Sequence, residues 1–249
     1  ANHQLMELDT RKDEFLSQVS HEVRTPMTSI RSFSEILLER DQLSPDEQQR
    51  FVSTIHEESL RLTRLLDEIL DLSALERGER GWQNQPVDAE AALDRALEVC
   101  APLARQKRMR IIVGPRPPKA TISGDMDRLC QVLINLVSNA IKYNDAGQPV
   151  VEVRSSVGRR NYVVEIEDNG PGIAQSDRKM IFDKFSRGKT GGPAQPGAGL
   201  GLAIAREIIA RMNGKLELLP SRERGACFRV TLPLAVPAPV RRTKKLPAE

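Results

Sequence analysis

Aromatic side chains are scarce in this sequence: they make up 4% of 249 residues, with one Trp, two Tyr and six Phe. So few rings argue against a platform on which nucleic-acid bases could stack. An excess of one charge is missing too, since 37 Lys and Arg stand against 34 Asp and Glu. A net charge of +3 over this length forms no concentrated basic face, and no nucleic-acid partner is expected. The three cysteines, Cys100, Cys130 and Cys227, are far apart, with no CxxC or Cys/His pairing. That pattern excludes a zinc ribbon and a disulfide framework, and suits buried thiols in a reducing compartment. No apolar run approaches the roughly 18–20 residues that span a bilayer, and no signal peptide opens the chain. The expected setting is the cytoplasm, with membrane attachment left to a segment upstream of Ala1.

Glycine is absent from residues 1–75, where the only prolines are Pro26 and Pro45. What fills that stretch is helical periodicity. Leu5, Leu8, Phe15 and Val19 share a stripe, which resumes after Pro26 as Met27, Ile30, Phe33 and Leu37. Ser44 and Pro45 read as the N-cap and first residue of a second helix. Its Phe51, Ile55, Leu62, Leu65, Ile69 and Leu72 recur at heptad spacing, interrupted only by Glu58. Two long helices and a short turn make an antiparallel hairpin whose apolar stripe it cannot cover alone. A second copy is therefore expected, completing a four-helix bundle as a homodimer.

Residues 77–86 break the periodicity and read as a linker. Beyond them the texture turns to mixed α/β. Helices are predicted over 89–104, from Asp125 onward, and over 200–212; strands over 109–113, 150–157, 162–167, 215–219 and 227–232. Residues 236–249 are rich in Pro and read as a disordered basic tail. Their four basic residues and one acidic residue account for the whole net charge, so the rest of the chain is neutral.

Four constellations carry chemistry. On a helix, His21 and Thr25 are i,i+4 neighbours with Glu22 beside them, and Pro26 removes the hydrogen bond to the Glu22 carbonyl, which predicts a bend. A neutral imidazole with an adjacent carboxylate is a competent nucleophile, although a lone His-Glu pair is more often just an exposed pair. Asn135, Asn139 and Lys142, followed by Tyr143, edge an otherwise apolar helix. Two carboxamides and an ammonium at that spacing can serve a metal and phosphate oxygens. Asp168 ends an alternating strand and enters a turn with Gly170 and Gly172, where a carboxylate can accept from a base amino group; taken alone, this is a turn. Last come Phe182 and Phe185, then a Gly-rich stretch closing in Gly199-Leu200-Gly201, which opens a helix whose first amides can receive phosphate. Gly188-Lys189-Thr190 only mimics a Walker A end, because Asp183 stands where its first glycine belongs.

In this order and spacing the segments resemble the H, N, G1, F and G2 boxes of the transmitter module of two-component sensor histidine kinases. The resemblance runs from about Leu8 to Leu234. It implies an α plus α/β architecture: a helical hairpin forming a four-helix bundle on dimerisation, then an α/β sandwich ATP-binding domain of the GHKL type. The implied division is 1–76 for dimerisation and histidine phosphotransfer, 77–86 for the linker, 87–235 for catalysis and 236–249 for the tail. By that likeness His21 is the phosphoacceptor, Glu22 its acid/base neighbour, and Thr25 the position many members use to orient water when dephosphorylating a partner. The cofactors implied are ATP and Mg²⁺, with Asn139 as the metal ligand, Asn135 in support, Lys142 on phosphate and Tyr143 stacked on adenine. Asp168 would read the adenine amino group in a pocket shaped by Gly170 and Gly172. Phe182 and Phe185 would pack the base of a lid that ends in Gly199, Leu200 and Gly201. Ala198 departs from the Ser or Thr usual in the last box. The implied activity is ATP-dependent autophosphorylation and transfer to a response-regulator receiver domain; the competing reading is a GHKL-type conformational ATPase without phosphohistidine.

Overall fold

A computed structural model describes residues 2–39, 43–78, 82–186, 199–220 and 224–235. It opens with two helices, α1 (Asn2–Glu39) and α2 (Pro45–Arg77), packed against each other as the predicted hairpin. Ser44 caps α2 in a reciprocal box: its hydroxyl accepts from the Glu47 amide (3.3 Å), while the Glu47 carboxylate accepts from the Ser44 amide (2.9 Å). At the other end Gly78 takes a left-handed conformation, φ 66°, and stops the helix. Phe33 and Phe51 stack across the hairpin at 5.4 Å. The bend expected at Pro26 does not interrupt α1, which continues through the proline with only one backbone bond forfeited.

The remainder is β1 (Gln85–Asp88), α3 (Ala89–Gln106), β2 (Arg110–Val113), β3 (Thr121–Gly124), α4 (Met126–Lys142), β4 (Val150–Val157), β5 (Asn161–Asp168), α5 (Gly201–Arg211), β6 (Lys215–Leu219) and β7 (Cys227–Pro233). β2, β4, β5, β7 and β6 form one sheet in that order, parallel between β2 and β4 and antiparallel elsewhere. Alternation sets its faces. Val151, Val153, Val164, Ile166, Val230 and Leu232 turn inward, all at most 1% exposed, towards Leu129, Leu133 and Leu136 of α4. The opposite face carries an ion-pair lattice in which Arg154 meets Glu152, Glu165 and Glu167, and Arg229 meets Glu165.

Two strands were not anticipated. β1 and β3 pair antiparallel in a small separate sheet. Each is four residues long, Gln-Pro-Val-Asp and Thr-Ile-Ser-Gly, too short and too polar to show alternation. As a result, the stretch read as a linker is helical through Arg77 and extended from Gln85. The tail over 236–249 lies outside the described residues.

Hairpin and α/β unit share one core, because Leu65, Leu72 and Leu75 of α2 are buried in the same apolar cluster as the helices on the sheet. Asp71 of α2 accepts from Arg128 (2.9 Å) and from Gln131 (2.7 Å) of α4. Near the end of α2, Glu76 pairs with Lys184. Lys184 lies over the Phe15 ring (4.9 Å), and Phe15 meets Phe185 at 5.5 Å.

One buried polar group bolts α3 to the sheet. The wholly buried Tyr162 donates to Glu90 (2.7 Å), whose other oxygen accepts from Arg116 (2.7 Å). Burial and the Glu90 carboxylate together push the phenol's pKa far up, so it stays a donor. Tyr162→Phe leaves a carboxylate oxygen without its donor and should cost about 2 kcal/mol of stability, read as a lower urea midpoint at unchanged m-value.

Candidate nucleotide and phosphoacceptor sites

α4 exists where it does because Asp125 caps it, accepting from the amides of Asp127 (3.0 Å) and Arg128 (3.1 Å). That start sets the helical phase. Leu129, Leu133, Leu136 and Ile141 point into the core, while Asn135, Asn139 and Lys142 lie half-buried at its edge. Asn139 donates from Nδ2 to Asn135 Oδ1 at 3.4 Å, which leaves the Asn139 carbonyl oxygen for another partner. Asn135 Nδ2 is buried and has no partner at all. The start of α5 touches the same point: a Cβ on Gly201 would sit 2.5 Å from Asn135 Oδ1. No side chain caps α5, so its first amides are not claimed by one.

The second wall is the end of β5. Asp168 Oδ1 accepts from the Gly170 amide (2.8 Å) and the Ala226 amide (3.4 Å). Burial raises the pKa of this carboxyl, with Glu167 adding to the effect and the two amides opposing it. Gly170 is buried between Asp168 and the Tyr143–Asn144 backbone, and a Cβ there would meet Asp168 Oδ1 at 2.9 Å. Tyr143 is the C-cap residue of α4 and is 43% exposed, its ring open to a ligand.

The other predicted residues fall in two places. Phe182 packs edge-on against Phe228 at 6.3 Å, inside the α/β unit. Phe185 instead faces the hairpin through Phe15, and it holds a left-handed backbone, φ 58°. Gly199, φ +72°, closes on that turn so tightly that a Cβ would meet the Phe185 and Ser186 backbone at 2.8 Å. Leu200 is wholly buried; its side chain belongs to the core, and only its backbone faces the site. Residues 187–198, with the remaining lid glycines, lie outside the described residues.

His21 stays on α1, exposed, on a different element from the α4–β5–α5 cluster. Thr25 Oγ1 donates to the His21 carbonyl at 3.3 Å, and Glu22 beside them is half-buried. Phe15, which touches Phe185, lies six residues before His21, about 9 Å along the helix axis. The structure thus sets Asn135, Asn139 and Lys142 along one edge of α4 with Gly201 against Asn135, packs Gly170 between Asp168 and the Tyr143–Asn144 backbone, and holds this unit against the helix bearing the histidine through Phe185 and Phe15.

Three contributors were missed from sequence. Asn144 is 7% exposed and donates to Asn169 (2.9 Å) and to the Val150 carbonyl (3.2 Å), tying the end of α4 to the turn after β5. Asn169 in turn accepts from the Val150 amide (2.8 Å). Gly225, φ +101°, passes so close to Asp168 that a Cβ would sit 1.8 Å from its carbonyl oxygen. The asparagines stood beside positions already singled out, but Gly225 is remote in sequence from Asp168 and had no local signal. Gly225→Ala combines left-handed strain with a backbone clash, for about 3 kcal/mol of destabilisation in urea unfolding.

Comparison with known proteins matches residues 11–78 to the His Kinase A (phospho-acceptor) domain. Residues 124–236 match the histidine kinase-, DNA gyrase B- and HSP90-like ATPase domain. The aerobic respiration control sensor protein ArcB of Escherichia coli K12 is 34% identical over 224 residues, covering 89% of this chain and 28% of ArcB. The chain therefore spans little more than a quarter of that relative. Among solved structures, full-length ShkA in complex with AMPPNP superposes with TM-score 0.64 at 29% identity, covering 92% of this chain and 47% of ShkA. Histidine kinase ThkA, solved with response regulator protein TrrA, shares the fold with TM-score 0.73 at 24% identity, over 92% of this chain and 64% of that one. With both domain families matched in the order that the fold displays, the chain belongs to the two-component sensor histidine kinases, as a transmitter module.

Proposed function

We propose that this module phosphorylates its own His21 from ATP and passes the phosphoryl group to an aspartate of a response-regulator receiver domain. The observation that carries the reading is the docking of the nucleotide cleft's unit on the very helix that exposes His21, through Phe15 and Phe185. A GHKL ATPase acting only as a conformational clamp has no need of an exposed histidine on a docked hairpin.

In this reading Asp168 accepts a hydrogen bond from the adenine amino group, and Tyr143 covers the base. Lys142 and the first amides of α5 take the phosphates. Mg²⁺, when bound, would neutralise phosphate charge; Asn139 Oδ1 suits it, because Asn139 Nδ2 is already committed to Asn135. Among the described residues no group of three His, Cys, Asp or Glu forms a protein cage, so a single carboxamide plus phosphate and water oxygens is the fitting donor set.

His21 attacks the γ-phosphorus with a ring-nitrogen lone pair. The bond to the ADP oxygen breaks, and Glu22 takes the proton from the other ring nitrogen. Positioning and charge neutralisation carry most of such a transfer. The receiver aspartate then takes the phosphoryl group from the histidine.

A homodimer is part of the proposal. Leu16, Met27 and Leu38 are exposed on α1 at eleven-residue intervals, which is three helical turns and so one stripe. Val52, Leu60, Leu66 and Leu70 expose apolar surface along α2. A second hairpin of the same kind covers both, giving a four-helix bundle.

With ATP and Mg²⁺ the chain should acquire an acid-labile, base-stable phosphate, and His21→Gln should acquire none. ATP turnover without any phosphoprotein would point to the clamp instead. Thr25→Ala should slow dephosphorylation of the partner receiver domain while autophosphorylation persists; equal loss of both activities would deny Thr25 a separate role.

A further inference from the structure

Between α2, α3, α4 and α5 lies a cleft of about 490 Å³, lined among others by Glu68, Val99, Gln131, Asn135, Ser138 and Gly201. It shares Asn135 and Gly201 with the candidate nucleotide site and is walled on one side by Glu68 of the helical hairpin. Two of its lining groups are anomalous. Glu68 Oε2 is a buried acceptor without a donor, and Asn135 Nδ2 is a buried donor without an acceptor. Buried polar atoms left in this state are rare and costly, and here the deficits are complementary and share one cavity.

We propose that Glu68, on the hairpin, is a positioning residue for the nucleotide site: its carboxylate receives the Asn135 Nδ2 donor through one water in the cavity that both line, and so fixes the Asn135 carboxamide for the Asn135–Asn139 pair. The inference rests on the kinase reading, in which that pair serves Mg²⁺ and phosphate.

A carboxamide can turn over by half a rotation, exchanging its oxygen and nitrogen at little steric cost. A carboxylate on one side removes that freedom, since only the NH₂ end is attracted to it. With Asn135 Nδ2 held towards Glu68, its Oδ1 faces Asn139 and accepts from Asn139 Nδ2 at 3.4 Å. The Asn139 oxygen is then the end left over for a cation. Donors and acceptors therefore run in one sense from α2 to the metal position, and each bond polarises the next. Gly201 holds the pair from the other side, where a Cβ would come within 2.5 Å of Asn135 Oδ1 and 3.1 Å of its Nδ2. Burial raises the Glu68 pKa despite the pull of Lys142 and Arg64, as expected of an acid enclosed between helices.

The consequence is a residue outside the α/β unit that helps to shape its active site. Glu68 shares a cavity with Asn135 only while α2 is docked, and the docking itself is held by other groups: Leu72, Leu75 and the Asp71 contacts with Arg128 and Gln131. Removing Glu68 should therefore leave the docked arrangement in place. A purely structural part for this side chain predicts no loss, because deleting an unpartnered buried carboxylate relieves a cost.

The test compares the wild-type chain with Glu68→Ala, Glu68→Gln and Asn135→Ala, measuring AMPPNP binding with and without Mg²⁺. Glu68→Ala should weaken Mg²⁺-dependent binding about tenfold, the usual size of an effect exerted through a ligand's hydrogen-bonding partner. It should leave Mg²⁺-free binding as it was. Glu68→Gln keeps an acceptor oxygen at the same reach and should bind as wild type. In the Asn135→Ala background, Glu68→Ala should add nothing. A second readout needs no nucleotide: the Asn135 side-chain NH₂ resonances should move in Glu68→Ala and stay in place in Glu68→Gln. Unchanged Mg²⁺-dependent binding in Glu68→Ala, no recovery in Glu68→Gln, or a full loss persisting without Asn135 would each overturn the proposal. A wild-type chain that binds no AMPPNP would instead sink the kinase reading, and the NMR comparison would still decide the contact.

Discussion

The placing of the two candidate sites relative to each other depends on the seam between α2 and the helices α4 and α5. Asp71 lies one residue before Leu72 and accepts from Arg128 and Gln131, which begin the helix that carries the asparagines. The ion pair is about 30% exposed on each side and is worth little by itself. Leu72 and Leu75 are 2% and 4% exposed, and burying each contributes about 2 kcal/mol. The leucines therefore hold the two units together, and Asp71 sets how far along each other the helices sit. That register brings Glu68 to the cleft at Asn135, and it lets Phe185 reach Phe15 on the histidine-bearing helix. Across the junction of the two units lie Leu65, Leu72 and Leu75, the Asp71 contacts, the Glu76–Lys184 pair and the Phe15–Phe185 contact.

Within the α/β unit, the turns around the candidate nucleotide site depend on close approaches of backbone. Gly170, Gly172, Gly199 and Gly225 each occupy a point where a Cβ would come within 3 Å of another atom. Asn144 and Asn169 then lock the turn that bears Asp168 with bonds to one another and to β4. A carboxylate held by two amides and shielded from water is well placed to accept a donor from a ligand. Phe185, one of three non-glycine residues with a left-handed backbone among the described residues, stands where the turn meets the hairpin and touches Phe15.

Much of this was legible in the residues alone. The hairpin follows from an apolar stripe, two prolines and no glycine, with Ser44, Pro45 and Glu47 marking the second helix. β4, β6 and the start of α4 were read to within a residue, because alternation and an aspartate cap are local signals. β1 and β3 were not legible: four residues carry too little pattern, and what makes them strands is each other, 33 positions apart at the nearest pair, Asp88 and Thr121. Gly225 and Glu68 were equally silent. A glycine after arginines and a glutamate on a helix are ordinary until the chain brings Asp168 and Asn135 beside them.

The sequence by itself determined the order of the units, the phase of each long helix and therefore which side chains could serve a nucleotide. Those are consequences of spacing, and spacing survives without a fold. Only the tertiary structure decided which of these residues share a cleft, that the Leu200 side chain is core, and that a carboxylate from the hairpin opens onto the same cavity as an unpartnered asparagine. Such facts depend on contacts between residues far apart in the chain, and the burial that creates them has no signature at any single position.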